Sequence, residues 1–85
     1  MYTVVFVKSV SNILRKLPKL EIVKIIDKAE SLSLNLHPIG SKKLSGTTEN
    51  LWRVRVGNYR IIYLIEEKIK VVKITKIGHR RNIYD

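Results

Sequence analysis

The spacing of apolar residues changes period along this chain, and each change marks an element. Residues 2–7 (Tyr-Thr-Val-Val-Phe-Val) are β-branched or aromatic and stop at Lys8-Ser9, which predicts a buried strand. Val10, Ile13, Leu14 and Leu17 then recur at helical spacing, with Ser9 or Ser11 as the expected N-cap. Pro18 closes that helix and suits the first turn of a second, in which Leu20, Val23, Ile26 and the stretch 29–32 alternate with Lys19, Glu21, Lys24, Lys28 and Glu30. The two predict a helical hairpin. Residues 33–48 lose all periodicity and read as a loop, with Lys42-Lys43-Leu44-Ser45-Gly46 inside it. From Leu51 the period is two: residues 51–56, 59–65 and 69–77 are strands, separated by Gly57-Asn58 and by Glu66-Glu67-Lys68. The expected fold is α+β: a strand, a two-helix hairpin, then an antiparallel sheet of three further strands. Helices cover one face and leave the other open. Residues 78–85 are too polar to continue the last strand.

Composition narrows the function. At 85 residues, 45% of them apolar, the chain supports a single domain, 1–85, with one core. No apolar run approaches the roughly 20 residues of a membrane span, and none suits a signal peptide, so a soluble cytoplasmic protein without membrane contact is expected. The absence of cysteine removes disulfides, thiol catalysis and thiolate metal sites. Seventeen basic residues oppose 7 acidic ones, a formal charge of +10, which points to a polyanionic partner. The excess is concentrated in the strand-rich half.

In the strand 51–56, alternation separates Trp52, Val54 and Val56 from Arg53 and Arg55. A two-residue turn at Gly57-Asn58 puts Val56 opposite Tyr59 and Arg55 opposite Arg60, so three arginines gather on one face. Directly opposed like charges are unfavourable unless an anion joins them. The segment Gly78-His79-Arg80-Arg81-Asn82-Ile83-Tyr84 adds an imidazole, two cations and a phenol, which the last strand is expected to aim at the same sheet. Lys42, Lys43, Lys70, Lys73, Lys76 and Arg81 flank the cluster as candidate RNA phosphate contacts. His37, beside Pro38 with no partner at ligand spacing, is expected to be structural or solvent-facing. Clustered carboxylates, a Gly-rich phosphate loop and a nucleophile elbow are all missing from the sequence, so no metal and no cofactor is expected. Arginines around a phosphate, with His79 or Tyr84 to handle a proton, suit RNA cleavage by the 2′-hydroxyl.

The run Leu51-Trp52-Arg53-Val54-Arg55-Val56-Gly57-Asn58-Tyr59-Arg60-Ile61-Ile62-Tyr63, the step Lys43-Leu44-Ser45-Gly46 before it, and Lys76-Ile77-Gly78-His79-Arg80 with Ile83-Tyr84 after it resemble the RelE/ParE toxin superfamily. The RelE branch, of archaeal type, is the better likeness. The resemblance implies the RelE-like microbial RNase fold and a toxin that enters the ribosomal A site and cuts messenger RNA. Its implied partners are the ribosome, mRNA and an acidic RelB-like antitoxin. It also implies that Arg53 and Arg55 grip RNA phosphates, that Arg60 meets the scissile phosphate and that Arg80 stabilises developing charge. Tyr84 is implied to stack on a base or help activate the nucleophile, and His79 stands where relatives carry a basic residue. Bacterial members have lysines at the positions of Arg53 and Arg55; arginine is effectively never deprotonated, so a lysine-type general base is excluded here. The alternative is a ParE-like toxin that poisons DNA gyrase, or a catalytically inactive one, acting by protein contacts alone; the ParE branch generally lacks the full basic-plus-tyrosine set.

Overall fold

A computed structural model describes residues 1–79. The sequence expectations for Arg80, Arg81 and Tyr84 lie outside the described residues. The element order is β1 (Thr3–Phe6), α1 (Lys8–Leu14), α2 (Lys19–Ser31), β2 (Lys42–Lys43), β3 (Leu51–Val56), β4 (Tyr59–Glu66) and β5 (Val71–His79). The strands form one five-stranded sheet in the order β1-β5-β4-β3-β2. Its β2–β3, β3–β4 and β4–β5 pairs are antiparallel, while β1 runs parallel to β5. The sheet is therefore mixed, and open.

Both helices pack on one face. Val10 and Leu14 of α1 and Ile25 and Ala29 of α2 are buried against Val54, Val56, Ile61, Tyr63, Ile65, Val72, Ile74 and Ile77. Alternation sends Trp52 and Tyr59 to the same face and Arg53, Arg55, Arg60 and Ile62 to the other.

Several local expectations are corrected. Residues 33–48 are not all loop, because Lys42 and Lys43 pair with Arg53 and Trp52 as the short strand β2. Neither serine caps α1; Val7 precedes it and the first turn closes by backbone bonds from Val10 and Ser11 to the Val7 carbonyl. Pro18 is the N-cap of α2 rather than part of its first turn. The buried stripe of α2 is Ile25, Ala29 and Leu32, while Leu20 and Val23 are 76% and 50% exposed. That helix carries apolar residues around much of its girth, so periodicity allowed two stripes and contact with the sheet chose one. Ile69 and Lys70 belong to the turn before β5, where Lys70 adopts φ 53°, and β5 runs on through Gly78 and His79, which pair with Arg60 and Tyr59 despite their polarity.

Candidate functional site

The arginine cluster forms as the hairpin register requires. Arg55 lies opposite Arg60 and Val56 opposite Tyr59, with Arg53 two places from Arg55 on the same face. Gly57, at φ 58°, supplies the left-handed backbone of the intervening turn. On its other side Arg60 faces Gly78, which brings no side chain over it. In the sheet register Arg60 thus lies between Arg55 and Gly78. Arg53 and Arg60 are half-buried and Arg55 is exposed. Lys42 extends the basic row beyond Arg53, and Lys76 sits across Ile62 from Arg53. The acidic side chain on this face of β4 is Glu66, roughly 20 Å from Arg60 at about 3.4 Å per residue. Five cations in neighbouring register positions make this face strongly basic, with groups chemically suited to phosphate oxygens.

Ile62 looks like any other strand residue in the sequence, yet it is 8% exposed on the open face and lies outside the helix-side core cluster. Its neighbours are Arg53 and Lys76 across the strands and Arg60 and Leu64 along its own. Arg53 and Arg60 are half-buried beside it, and the Nε of each lies below the surface. An apolar floor thus lies beneath the arginines.

The expected grouping of His79 with the arginines does not occur. The β4–β5 register slips between Ile62 and Tyr63: Ile62 pairs with Lys76 but Tyr63 pairs with Ile74, leaving Thr75 as an extra residue. Its hydroxyl donates to the Ile62 carbonyl at 3.2 Å. A one-residue bulge inverts the facing of every later side chain. Strict alternation from Lys73 would have brought His79 to the arginine face; the bulge instead puts Lys76 and Gly78 there. His79 goes to the helix side, where its ring meets Tyr59 edge-on with centroids 5.6 Å apart.

The flanking lysines also divide. Lys42 and Lys76 share the arginine face, whereas Lys43 is paired with Trp52 and faces the other way. Lys73 approaches Glu66 at 3.8 Å, which offsets its charge locally. Lys70 lies in the turn at the far end of the sheet, its carbonyl accepting from Thr3 at 2.9 Å.

The loop after α2 is fastened to the sheet by aromatics. The Tyr63 hydroxyl donates to the Leu36 carbonyl at 2.8 Å, and burial pushes its phenol above the ordinary tyrosine range, partly countered by a hydrogen bond with Ser41. His37 is indeed exposed, but it is not without contacts: its ring lies 4.1 Å, centroid to centroid, from Trp52. Sequence spacing gave no signal for that pair, which joins a loop to a strand.

Among the described residues no three His, Asp or Glu side chains gather into a metal-binding group, and no helix is long and apolar enough to cross a membrane.

Comparison with known proteins agrees with this geometry. Residues 4–84 match the family model described as the ParE toxin of the type II toxin–antitoxin system, parDE. A chain in the archaeal RelE–RelB complex from Pyrococcus horikoshii OT3 superposes with a TM-score of 0.84 at 34% identity, covering 96% of this chain and 98% of that one. A chain of the Mycobacterium tuberculosis RelBE2 toxin–antitoxin complex gives 0.80 at 29% identity, covering 93% and 98%. The isolated Escherichia coli RelE toxin gives 0.79 at 18% identity, covering 93% and 84%, a likeness of fold. No curated protein matches the sequence. The chain belongs to the ParE toxin family of type II toxin–antitoxin systems, and is a toxin of the RelE/ParE superfamily with the RelE-like fold.

Proposed function

We propose that this toxin is a ribosome-dependent, metal-independent endonuclease that cuts messenger RNA in the ribosomal A site. The observation that carries this reading is the register of Arg55 against Arg60 with Arg53 beside them on an open face. In the reaction the 2′-hydroxyl of one nucleotide attacks the adjacent phosphate, its proton passes to a base, and the 5′-oxygen leaves with a proton from an acid. The negative charge on the phosphoryl oxygens grows toward the transition state, and fixed guanidinium groups favour that state over the ground state. Arg60, between Arg55 and Gly78 in the register, is assigned to the scissile phosphate by the resemblance, and Arg53 and Arg55 to the grip on the strand. Arginine supplies charge and hydrogen bonds but no proton transfer. With His79 across the sheet, that role passes to Tyr84 or to a group of the ribosome, and the resemblance assigns Arg80 to the developing charge. Lys42 and Lys76 extend the grip on the backbone.

In the cytoplasm such a toxin needs restraint. The complexes formed by similar RelE chains support an acidic RelB-like antitoxin as this chain's partner. One observation favours a second reading: the matching family model is named for ParE, whose branch is associated with DNA gyrase. Primer extension on translating ribosomes separates the two. New mRNA ends within A-site codons are the expected result. Intact mRNA together with inhibited gyrase supercoiling would overturn the nuclease reading in favour of the second.

A further inference from the structure

The β2 edge of the sheet joins the arginine face to an aromatic pair on the opposite face. Lys42 points with Arg53, Lys43 points with Trp52, and between them lies a depression of about 190 Å³ bounded by Lys42, Lys43, Leu44, Ser45 and Arg53. Among the described residues, three of the five that border it are cations. Behind it the half-buried Trp52 is held by its Nε1, which donates to Asn50 Oδ1 at 2.8 Å. Across the indole lies His37, tilted by 40°, whose exposed ring turns part of its surface to solvent. From strand spacings of about 4.8 Å and a rise of about 3.4 Å per residue, the Lys42 Cα lies roughly 12 Å from that of Arg60. A nucleic-acid strand lying over Arg60, Arg55 and Arg53 runs directly onto this edge.

We propose that the β2 edge is a second subsite for single-stranded RNA. The depression takes the backbone phosphate of a nucleotide near the cleaved bond, and the base of that nucleotide stacks on His37, backed by Trp52. The proposal rests on the nuclease reading for the identity of the strand and extends it to a position away from the chemistry. A nucleotide supplies both an anion and a flat π-surface, which is what adjacent cations and an open aromatic ring complement; an acidic peptide supplies the anion alone. Stacking on aromatic side chains needs an unstacked base, so the subsite discriminates single strand from duplex, and it tolerates any base because every base has a π-face.

Trp52 is the only tryptophan in the chain, so the site carries its own reporter. The test titrates the intact protein with a short 2′-O-methyl RNA, which binds but cannot be cut, with the same RNA as a duplex, and with poly-glutamate, following Trp52 fluorescence. The single strand is expected to quench saturably, while duplex and poly-glutamate do not. His37→Ala is expected to weaken binding about tenfold, within the range that loss of one stacked base produces, while His37→Phe keeps parental affinity. Lys43→Gln is expected to flatten the salt dependence by about one phosphate contact. Because His37→Ala also loosens the loop, thermal unfolding is recorded for each variant, and the comparison of Phe with Ala decides. If Phe and Ala behave alike, or poly-glutamate quenches as RNA does, the proposal is overturned. Ribosomal cleavage is measured in parallel. A parent that cuts mRNA but binds RNA independently of His37 sinks the subsite alone. A parent that quenches with RNA but cuts nothing sinks the nuclease reading and leaves the subsite standing.

Discussion

Ile62 places an apolar residue in the middle of the arginine cluster. It is 8% exposed on the open face between half-buried Arg53 and Arg60, while Arg55 stays exposed. Under the proposed nuclease function, in which the Arg60 contact is strongest in the transition state, Arg60→Ala is expected to lower cleavage on the order of 10²-fold with ribosome affinity little changed. Ile62→Thr leaves all charges in place but roughens the floor, and is expected to reduce cleavage with affinity again preserved. Single-turnover cleavage and ribosome pelleting check both; equal losses in binding and cleavage would reassign Arg60 to docking. Tyr63 makes a prediction about pH. Its folded pKa is raised by burial above the ordinary value of about 10, so the folded state holds the phenol's proton more tightly than the unfolded chain does. That contribution is fully present below about pH 10 and is lost as pH rises from there through the folded value. Tyr63→Phe is expected to remove this alkaline decline, together with a late fraction of the phenolate titration. At neutral pH it costs about 1 kcal/mol for the lost bond to Leu36. Urea unfolding of both proteins at neutral and alkaline pH measures it.

At the scale of elements, the sequence is most informative where geometry is local. The Gly57-Asn58 turn fixes the β3–β4 register because a two-residue loop admits one pairing, so the Arg55–Arg60 opposition follows from residue spacing alone. Three features are not legible in that way. The bulge at Thr75 depends on pairing with a strand already fixed by its own hairpin, and it inverts the expectation for His79. Strand β2 has two residues, too few for a period, and exists because β3 offers it an edge. The stripe of α2 is ambiguous until the sheet selects Ile25, Ala29 and Leu32. The turn into β5 carries a local conflict: Lys70 adopts φ 53°, which glycine or asparagine accepts more readily than a long side chain. Lys70→Gly relieves that strain while adding freedom to the unfolded chain, and the balance is an expected gain of up to about 1 kcal/mol. Because Lys70 lies at the far end of the sheet from Arg60, ribosomal cleavage is expected to stay at the parental level. Denaturant midpoints and the cleavage assay read the two halves of that prediction.

At the scale of the whole molecule, the +10 charge acts with opposite sign on the chain alone and on its complexes. In the free protein, 17 basic residues oppose 7 acidic ones, and the sheet register sets Arg55 opposite Arg60, so self-repulsion is expected to destabilise the compact state. Raising salt from about 0.1 M to about 1 M shortens the screening length from about 10 Å to about 3 Å and removes much of that repulsion. The free toxin is therefore expected to become more stable as sodium chloride rises. Binding to the antitoxin, and to RNA under the proposed function, would draw on the same charges attractively, so both affinities are expected to fall over that range, RNA with a slope set by the phosphates contacted. A bound antitoxin also stabilises the toxin by mass action, by about 2.7 kcal/mol when present at 100 times its dissociation constant. Salt should then narrow the gap in stability between complex and free chain from both sides. Urea unfolding, which adds no ions, of the free toxin and of its complex across the salt series tests this. A free chain that loses stability with salt would mean that its charges attract on balance, and would remove repulsion across the arginine face as the reason it seeks an anion.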